Sequence, residues 1–426
     1  MERKYIIKGG NPLRGEIEVK GAKNAVLPAL ACTLLARGKF LLKNVPRVRD
    51  VFCMLKILEH LGAKTHFDGA NLEVDTSEIF RFEIPYELAS QIRASILFLG
   101  ALTAAYGEAV IPRPGGCDIG KRPTDIHEKG LMKLSAELDF KHGNIIAKAK
   151  RLKGTELVLD FPSVTGTENL LMAACLAEGE TVIKNAAREP EVVFLAEMLT
   201  QMGAEIKGAG TDTIFIKGKK KLKPVKIEII PDRIEGGTFL ILSSLYPENE
   251  VVIKNLPIDY LETPIMKLKE MGIEVKRVDK KAYTTVRGTK ILPTEISTAP
   301  YPGFPTDLQP LFAVLLTQAE GTSLIRENLF ENRFQYAFEL NRLGAKISVE
   351  DRVAVINGPT PLSGSPVKAT DLRAGAALLL AGLIAENTTT LYKVELIERG
   401  YENLPDRIRA LGGEIEVVEA LYEDSP

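Results

Sequence analysis

The chain has 426 residues, with 55 lysines and arginines against 56 aspartates and glutamates, a formal net charge of −1. That length exceeds one ordinary core, so two or more domains are expected. The charge balance argues against nucleic acid or an anionic membrane as the main partner, so any anion site must be a local cluster of cations.

Abundant alanine, glycine and leucine without tryptophan make an ordinary soluble α/β composition. The chain opens Met1-Glu2-Arg3-Lys4-Tyr5 and runs into a strand pattern without a basic-then-apolar leader. Its longest apolar stretches, such as residues 374–385, are too short to span a bilayer. Cys32, Cys53, Cys117 and Cys175 are far apart and in no metal spacing, which fits a reducing cytoplasm. Cys32, Cys53 and Cys175 lie in apolar helical patterns. His60, His66, His127 and His142 form no paired ligand motif, and no nucleophile elbow appears.

In chain order, one unit recurs six times. Residues 16–19 alternate as a strand and lead to a helix at 24–36. A second strand at 39–43 passes through Asn44-Val45-Pro46 into a helix at 48–61. Gly62-Ala63 caps that helix, and short strands follow at 64–67 and 71–74. The same order returns at about 82–158, at 156–216, 225–286, 294–355 and 367–417. Helix-ending Gly203, Gly272, Gly344 and Gly412 recur at matching places. Each unit mixes period-2 strands with helices of period near 3.6. A unit of about seventy residues cannot bury its apolar helix alone, so three units around shared helices would make one domain. The expected domains are residues 22–230 and residues 1–21 with 231–426. The strand before Gly21 is expected to join the second domain, so that two short crossovers form a hinge.

Only the second unit carries a long insertion, between its second strand and second helix. It reads Pro112-Arg113-Pro114-Gly115-Gly116-Cys117-Asp118-Ile119-Gly120-Lys121-Arg122-Pro123-Thr124-Asp125. Prolines and glycines specify turns, and a thiol beside Lys121 and Arg122 has a readily shared proton. Gly115, four residues, then Gly120-Lys121 nearly spell a phosphate-binding loop. Arg122-Pro123 stands where that motif needs Ser or Thr opening a helix, so the motif is rejected. Asp125 and Glu128 read as a capping pair, which starts a helix near Ile126 and leaves Arg122 just before its N-terminus, where an anion is favoured. A tight surface turn around a structural cysteine is the other reading of this loop.

Helix starts carry the other polar candidates: Lys23-Asn24, Arg93, Ser163-Val164-Thr165-Gly166-Thr167-Glu168, Asp232-Arg233, Pro305-Thr306-Asp307 and Thr370-Asp371-Leu372-Arg373. Ser163 and Asp371 equally suit plain N-caps. Lys23 and Arg373 are poor company for a helix N-terminus, which suggests an anion there. Arg333 and Arg399 follow second strands and read either as anion ligands or as solvated surface charges.

These residues resemble the enolpyruvyl transferase family over essentially the full length. The resemblance rests on Lys23-Asn24, Pro114-Gly115-Gly116-Cys117 with Ile119-Gly120 and Arg122-Pro123, Phe304-Pro305-Thr306-Asp307, Phe330-Glu331-Asn332-Arg333, Thr370-Asp371-Leu372-Arg373 and Arg399-Gly400-Tyr401-Glu402. It implies a two-domain inside-out α/β barrel with three βαβαββ-type repeats per domain. It implies transfer of the enolpyruvyl group of phosphoenolpyruvate to the 3-hydroxyl of UDP-N-acetylglucosamine with release of phosphate. That reaction is the first committed step of peptidoglycan synthesis, and hence serves cell-wall biogenesis, cell shape, cell cycle and division in the cytoplasm. No cofactor or metal is implied. The oligomeric state is left open.

The resemblance also implies roles. Cys117 is the proton donor to the phosphoenolpyruvate methylene carbon, the site of covalent adducts and the target of fosfomycin. Asp307 takes the proton from the sugar hydroxyl. Lys23, Asn24, Arg122, Arg333, Arg373 and Arg399 hold phosphoenolpyruvate, with Lys23 and Arg399 also counted as catalytic. Arg93, Arg122, Pro123, Thr124, Asp125, Ile126, Ser163, Val164, Asp307 and Leu329 hold the nucleotide sugar. Two places depart from the family's usual pattern: Thr165-Gly166 stands where Gly-Ala is common, and Leu396 where some members carry histidine. The alternatives are the sister enzyme that acts on shikimate 3-phosphate and a non-catalytic nucleotide-sugar-binding protein on the same fold.

Overall fold

Six sheets carry the six units, five of them four-stranded and one three-stranded, in a computed structural model that describes residues 2–114 and 124–420. Each four-stranded sheet repeats one topology. A short strand runs parallel to a second, which pairs antiparallel with a third, and a fourth pairs antiparallel with the third. In one of them, Lys226–Glu228 lies parallel to Lys39–Lys43, followed by Asn71–Asp75 and Lys64–Asp68. The three-stranded sheet joins Glu108–Pro112, Asn144–Lys148 and Glu137–Lys141. A lone parallel bridge, Glu83 to Val110, stands in place of its first strand.

Two compact units result: a first of residues 21–114 with 124–230, and a second of residues 2–20 with 231–420. Gly21 opens the first, one residue before the expected 22. A Cβ at Gly21 would stand 1.8 Å from the Asn44 carbonyl oxygen, so the chain is pressed onto the first unit there already.

The strands beside the crossovers correct the expected units. Arg14–Glu18 pairs with Glu250–Lys254 in the second unit, which the strand before Gly21 is expected to join, and there it serves the fourth repeat although it precedes the first in the chain. The strand expected to open the fourth repeat, Lys226–Glu228, completes the first instead. The sixth repeat borrows its third strand from the other end of the chain: Glu2–Lys8 lies between Thr388–Tyr392 and Glu414–Ala420. A period-2 pattern marks a strand and its buried face, but not which edge it joins.

Why the helices sit inside follows from their composition. Lys23–Cys32, Leu97–Tyr106 and Val164–Leu176 in the first unit are apolar almost all round and almost wholly buried. Arg233–Ser243, Gln309–Leu316 and Leu372–Ile384 play that part in the second. Gly100 lets two of them touch: its N–H donates to Asn169 Oδ1 at 2.8 Å, and a Cβ there would lie 2.3 Å from that oxygen. The second helix of each repeat is the amphipathic one that faces out. In Arg49–Leu61, Val51, Met54, Leu55 and Leu58 are buried while Phe52, Lys56 and Glu59 are exposed. Among the described residues, no helix is long and apolar enough to cross a membrane.

Candidate functional site

In the first unit the candidate residues stand where inner helices begin. Lys23 opens Lys23–Cys32, and the preceding Ala22 offers no capping side chain. Its ammonium lies 3.0 Å from Asp50 Oδ2, with both side chains nearly out of solvent. A buried ammonium at a helix N-terminus needs such a counter-charge. Asn24 beside it is half-buried. Asp50 carries no mark in the sequence, where nothing local ties it to a lysine 27 residues away.

Arg93 sits half-buried on the Arg93–Ile96 turn before the next inner helix. Burial first, and then the charge of Arg93, push the His127 imidazole down to about 4. Asn169 fixes that ring. Its oxygen accepts from Gly100, so its amide nitrogen donates to His127 Nδ1 at 2.8 Å. His127 is therefore a neutral acceptor that holds the helix carrying Asp125 and Ile126 onto Val164–Leu176. Neither His127 nor Asn169 was singled out by its sequence pattern.

The helix expected near Ile126 runs Asp125–Lys133, but the expected Asp125–Glu128 capping pair does not form. The buried Thr124 hydroxyl donates to Glu128 Oε1 at 2.5 Å, and Arg113 Nη2 donates to both Glu128 oxygens at 3.0 and 3.1 Å. Asp125 turns to Lys129 at 3.3 Å. The spacing explains both pairs, since residues four apart share a helix face. Asp125 and Ile126 are half-buried.

Ser163 is an N-cap: its Oγ accepts from the Gly166 N–H at 3.1 Å. Val164 is the first, half-buried residue of that helix. The Thr165-Gly166 departure has a local reason. A Cβ at Gly166 would stand 2.7 Å from Ile126 Cγ2, so glycine there admits the isoleucine. Cys117, Arg122 and Pro123, with the rest of the glycine-rich insertion at 115–123, lie outside the described residues.

The second unit gathers three candidates. Arg333 Nη2 lies 3.0 Å from Asp307 Oδ1, and Arg373 Nη2 lies 3.2 Å from Asp307 Oδ2. Both guanidiniums are at most 3% exposed. Arg333 is thus no solvated surface charge. Asp307 sits on the Thr306–Leu308 turn at the start of an inner helix. Arg373 belongs to the first turn of Leu372–Ile384, whose cap is Asp371, with Oδ1 accepting from Arg373 and Ala374 N–H at 2.9 and 3.0 Å. The Tyr401 ring backs Arg373 at 5.2 Å, and its hydroxyl bonds the Thr238 hydroxyl at 2.7 Å. Burial opposes the charge on Arg373, but Tyr401, Asp307 and Asp232 more than offset it and raise its pKa.

One carboxylate cannot satisfy two such forks. Arg333 Nε and Nη1 and Arg373 Nη1 are buried without a hydrogen-bond partner among the described residues. Buried donors of that kind are costly, and planar guanidiniums match carboxylate and phosphate oxygens. The arrangement therefore offers a carboxylate held between two guanidiniums and flanked by places for an anion. Arg399 ends the Val394–Arg399 turn and is half-buried. Leu329 is half-buried, and its N–H donates to Glu327 Oε1 at 2.8 Å. Glu327 is a further residue that its sequence context did not mark.

The family model described as EPSP synthase (3-phosphoshikimate 1-carboxyvinyltransferase) matches residues 7–408. UDP-N-acetylglucosamine 1-carboxyvinyltransferase 1 of Carboxydothermus hydrogenoformans is 50% identical over 97% of this chain and 98% of its own length. The UDP-N-acetylglucosamine 1-carboxyvinyltransferase of Geotalea uraniireducens is 47% identical over 97% and 98%. Among solved structures, the enolpyruvyl transferase NikO from Streptomyces tendae superposes with a TM-score of 0.89 at 28% identity, covering 99% of this chain and 100% of that one. EPSP synthase from Acinetobacter baumannii, at 20% identity and a TM-score of 0.75, shares the fold. The full-length match of sequence, repeat and fold shows that this chain belongs to the enolpyruvyl transferase family.

Proposed function

We propose that the chain transfers the enolpyruvyl group of phosphoenolpyruvate to the 3-hydroxyl of UDP-N-acetylglucosamine and releases phosphate. The observation that carries this reading is Asp307, held by two buried guanidiniums that keep three unpartnered donors. The names of relatives at 45–50% identity favour the nucleotide sugar as acceptor.

The chemistry assigns the roles. Phosphoenolpyruvate is small and strongly anionic, so drawing it out of water needs several cations. Lys23, Asn24, Arg122, Arg333, Arg373 and Arg399 supply them, together with one amide. Protonation at C3 by the Cys117 thiol makes C2 electrophilic. The sugar oxygen attacks C2 while Asp307 takes its proton. A tetrahedral adduct forms; it then loses phosphate from C2 and a proton from C3, restoring the double bond. An unperturbed thiol pKa of about 8.5 leaves Cys117 with a proton to give near neutrality. The two guanidiniums beside Asp307 favour its ionised form, as a base requires. Arg93, Thr124, Asp125, Ile126, Ser163, Val164 and Leu329 hold the nucleotide sugar, with Arg122 and Pro123. The place of action is the cytoplasm, and the product feeds peptidoglycan and through it cell shape and division.

The test is phosphate release from phosphoenolpyruvate with UDP-N-acetylglucosamine and, separately, with shikimate 3-phosphate. Turnover is expected with the first acceptor; turnover with the second alone would overturn the assignment in favour of the sister activity.

A further inference from the structure

Glu327 follows the Gly321–Arg326 strand and is fully buried. Its Oε1 accepts from the Thr298 hydroxyl at 2.9 Å and from the N–H groups of Leu329 and Phe330 at 2.8 and 3.1 Å. Its Oε2 accepts from the Thr306 hydroxyl at 2.8 Å and from Gln309 Nε2 at 3.4 Å. Five donors converge on it, two of them backbone N–H groups that cannot reverse. The carboxyl is a buried, fully bonded group built into the fold.

Its partners lie around the proposed base. Thr306 precedes Asp307 on the same short turn. Gln309 also donates to the Arg333 carbonyl at 3.5 Å, and its oxygen accepts from Tyr336 at 2.6 Å. Leu329 and Phe330 begin the segment that leads to Arg333. One carboxylate thus fixes the turn that aims Asp307, the backbone of the arginine that pairs with it, and the Leu329 contact.

We infer that Glu327 is a positioning residue for the reaction: it touches no substrate, but sets the direction of Asp307 through Thr306 and Gln309. This rests on Asp307 being the base. Glu327→Gln puts an NH2 group where only donors converge. Thr306→Val is nearly isosteric and cuts the hydroxyl link to the Asp307 turn, leaving Gln309, Leu329 and Phe330 bonded.

The experiment measures kcat, KM for both substrates and the pH dependence of kcat in the full chain, normalised to folded protein, for Glu327→Gln, Thr306→Val, the double variant and Asp307→Asn. Both single variants are expected to lose kcat by about 10- to 100-fold, since a small misplacement of a reacting group costs that much. KM should change little. The acidic limb of kcat should move to higher pH, because an Asp307 loosened from its guanidiniums protonates more easily. The double variant should be no worse than the poorer single one, as for residues in one network. A lowered melting temperature with parental kcat and pH profile in both single variants would make Glu327 merely structural and overturn the inference. Parental activity in Asp307→Asn would instead remove the base itself, and the inference with it.

Discussion

In the proposed mechanism Asp307 and Cys117 divide the proton work, and each can be removed singly. Asp307→Asn keeps the side-chain volume but cannot accept the hydroxyl proton. We expect kcat to fall by about 100-fold or more; steady-state phosphate release would show it, and a loss of less than threefold would speak against the base role. Cys117→Asp should keep appreciable activity because a carboxylic acid can still donate a proton, whereas Cys117→Ala should not. Fosfomycin should label the parent at Cys117, which mass mapping of the adduct would locate. His127 gives a pH signature independent of catalysis. Its folded pKa is about 4 against 6.5 for the free side chain. Between those values the unfolded chain binds more protons, so stability is full above about 6.5 and is lost as pH falls toward 4. His127→Gln, still an acceptor for Asn169, should shrink the drop in unfolding free energy between pH 8 and pH 5 by about 2 kcal/mol. An undiminished drop in denaturant titrations would contradict the buried neutral imidazole. At this scale the candidates Lys23, Asp307 and Arg373 were legible in the sequence as polar helix starts, where a cap or an anion is due. Their partners were not. Asp50 and Glu327 meet Lys23 and Thr306 only through folding, and neither spacing nor composition records a contact between distant turns.

A strand-end device repeats at the scale of elements. Asn44, Asn185 and Asn255 each follow the second strand of a repeat with φ of 57°, 56° and 56°. Each side-chain amide donates to the carbonyl that ends the parallel first strand: Asn44 to Ile229 at 3.0 Å, Asn185 to Leu159 at 2.8 Å, Asn255 to Val19 at 3.3 Å. Asparagine suits both tasks, since it tolerates the left-handed region and carries a donor. This device turns the chain from strand into second helix and ties it to the neighbouring strand. Asn185→Ala loses both features and should cost about 1–3 kcal/mol, read as a fall in melting temperature, while Asn185→Gly should recover part of it. Equal losses in the two variants would mean that the backbone conformation is not what the asparagine serves. Helices and strands were largely legible, since each repeat carries its own period and five of the six a glycine stop, the second turning at Ser135 with φ of 72°. Residues 14–18 join the second unit as expected, whereas residues 226–228, which alternate like a first strand of the fourth repeat, complete the first repeat's sheet instead. The asparagine contacts to Val19 and Ile229 identify their true neighbours.

The whole molecule is one unit written six times, and the single long insertion in the second copy carries the thiol. That asymmetry was visible in the sequence and pointed to chemistry, because packing gives no reason for one copy of six to differ. The two-unit division was legible from the repeats, and its crossovers near Gly21 and Pro231 from the turn residues there. The carboxylate between two arginines was not, since Asp307 and Arg333 lie 26 residues apart in the fifth repeat and Arg373 comes from the sixth. The central claim is addition followed by elimination, with a proton added to C3 and one later removed. It is tested most directly by running the reaction in D2O with unlabelled phosphoenolpyruvate and UDP-N-acetylglucosamine and reading the enolpyruvyl product by NMR and mass. Protonation makes C3 a methyl group holding one solvent hydrogen, and elimination removes any one of the three. The account predicts deuterium in the product's vinyl CH2, with no product from Cys117→Ala. Product formed at the parental rate with no deuterium in that CH2 would contradict it.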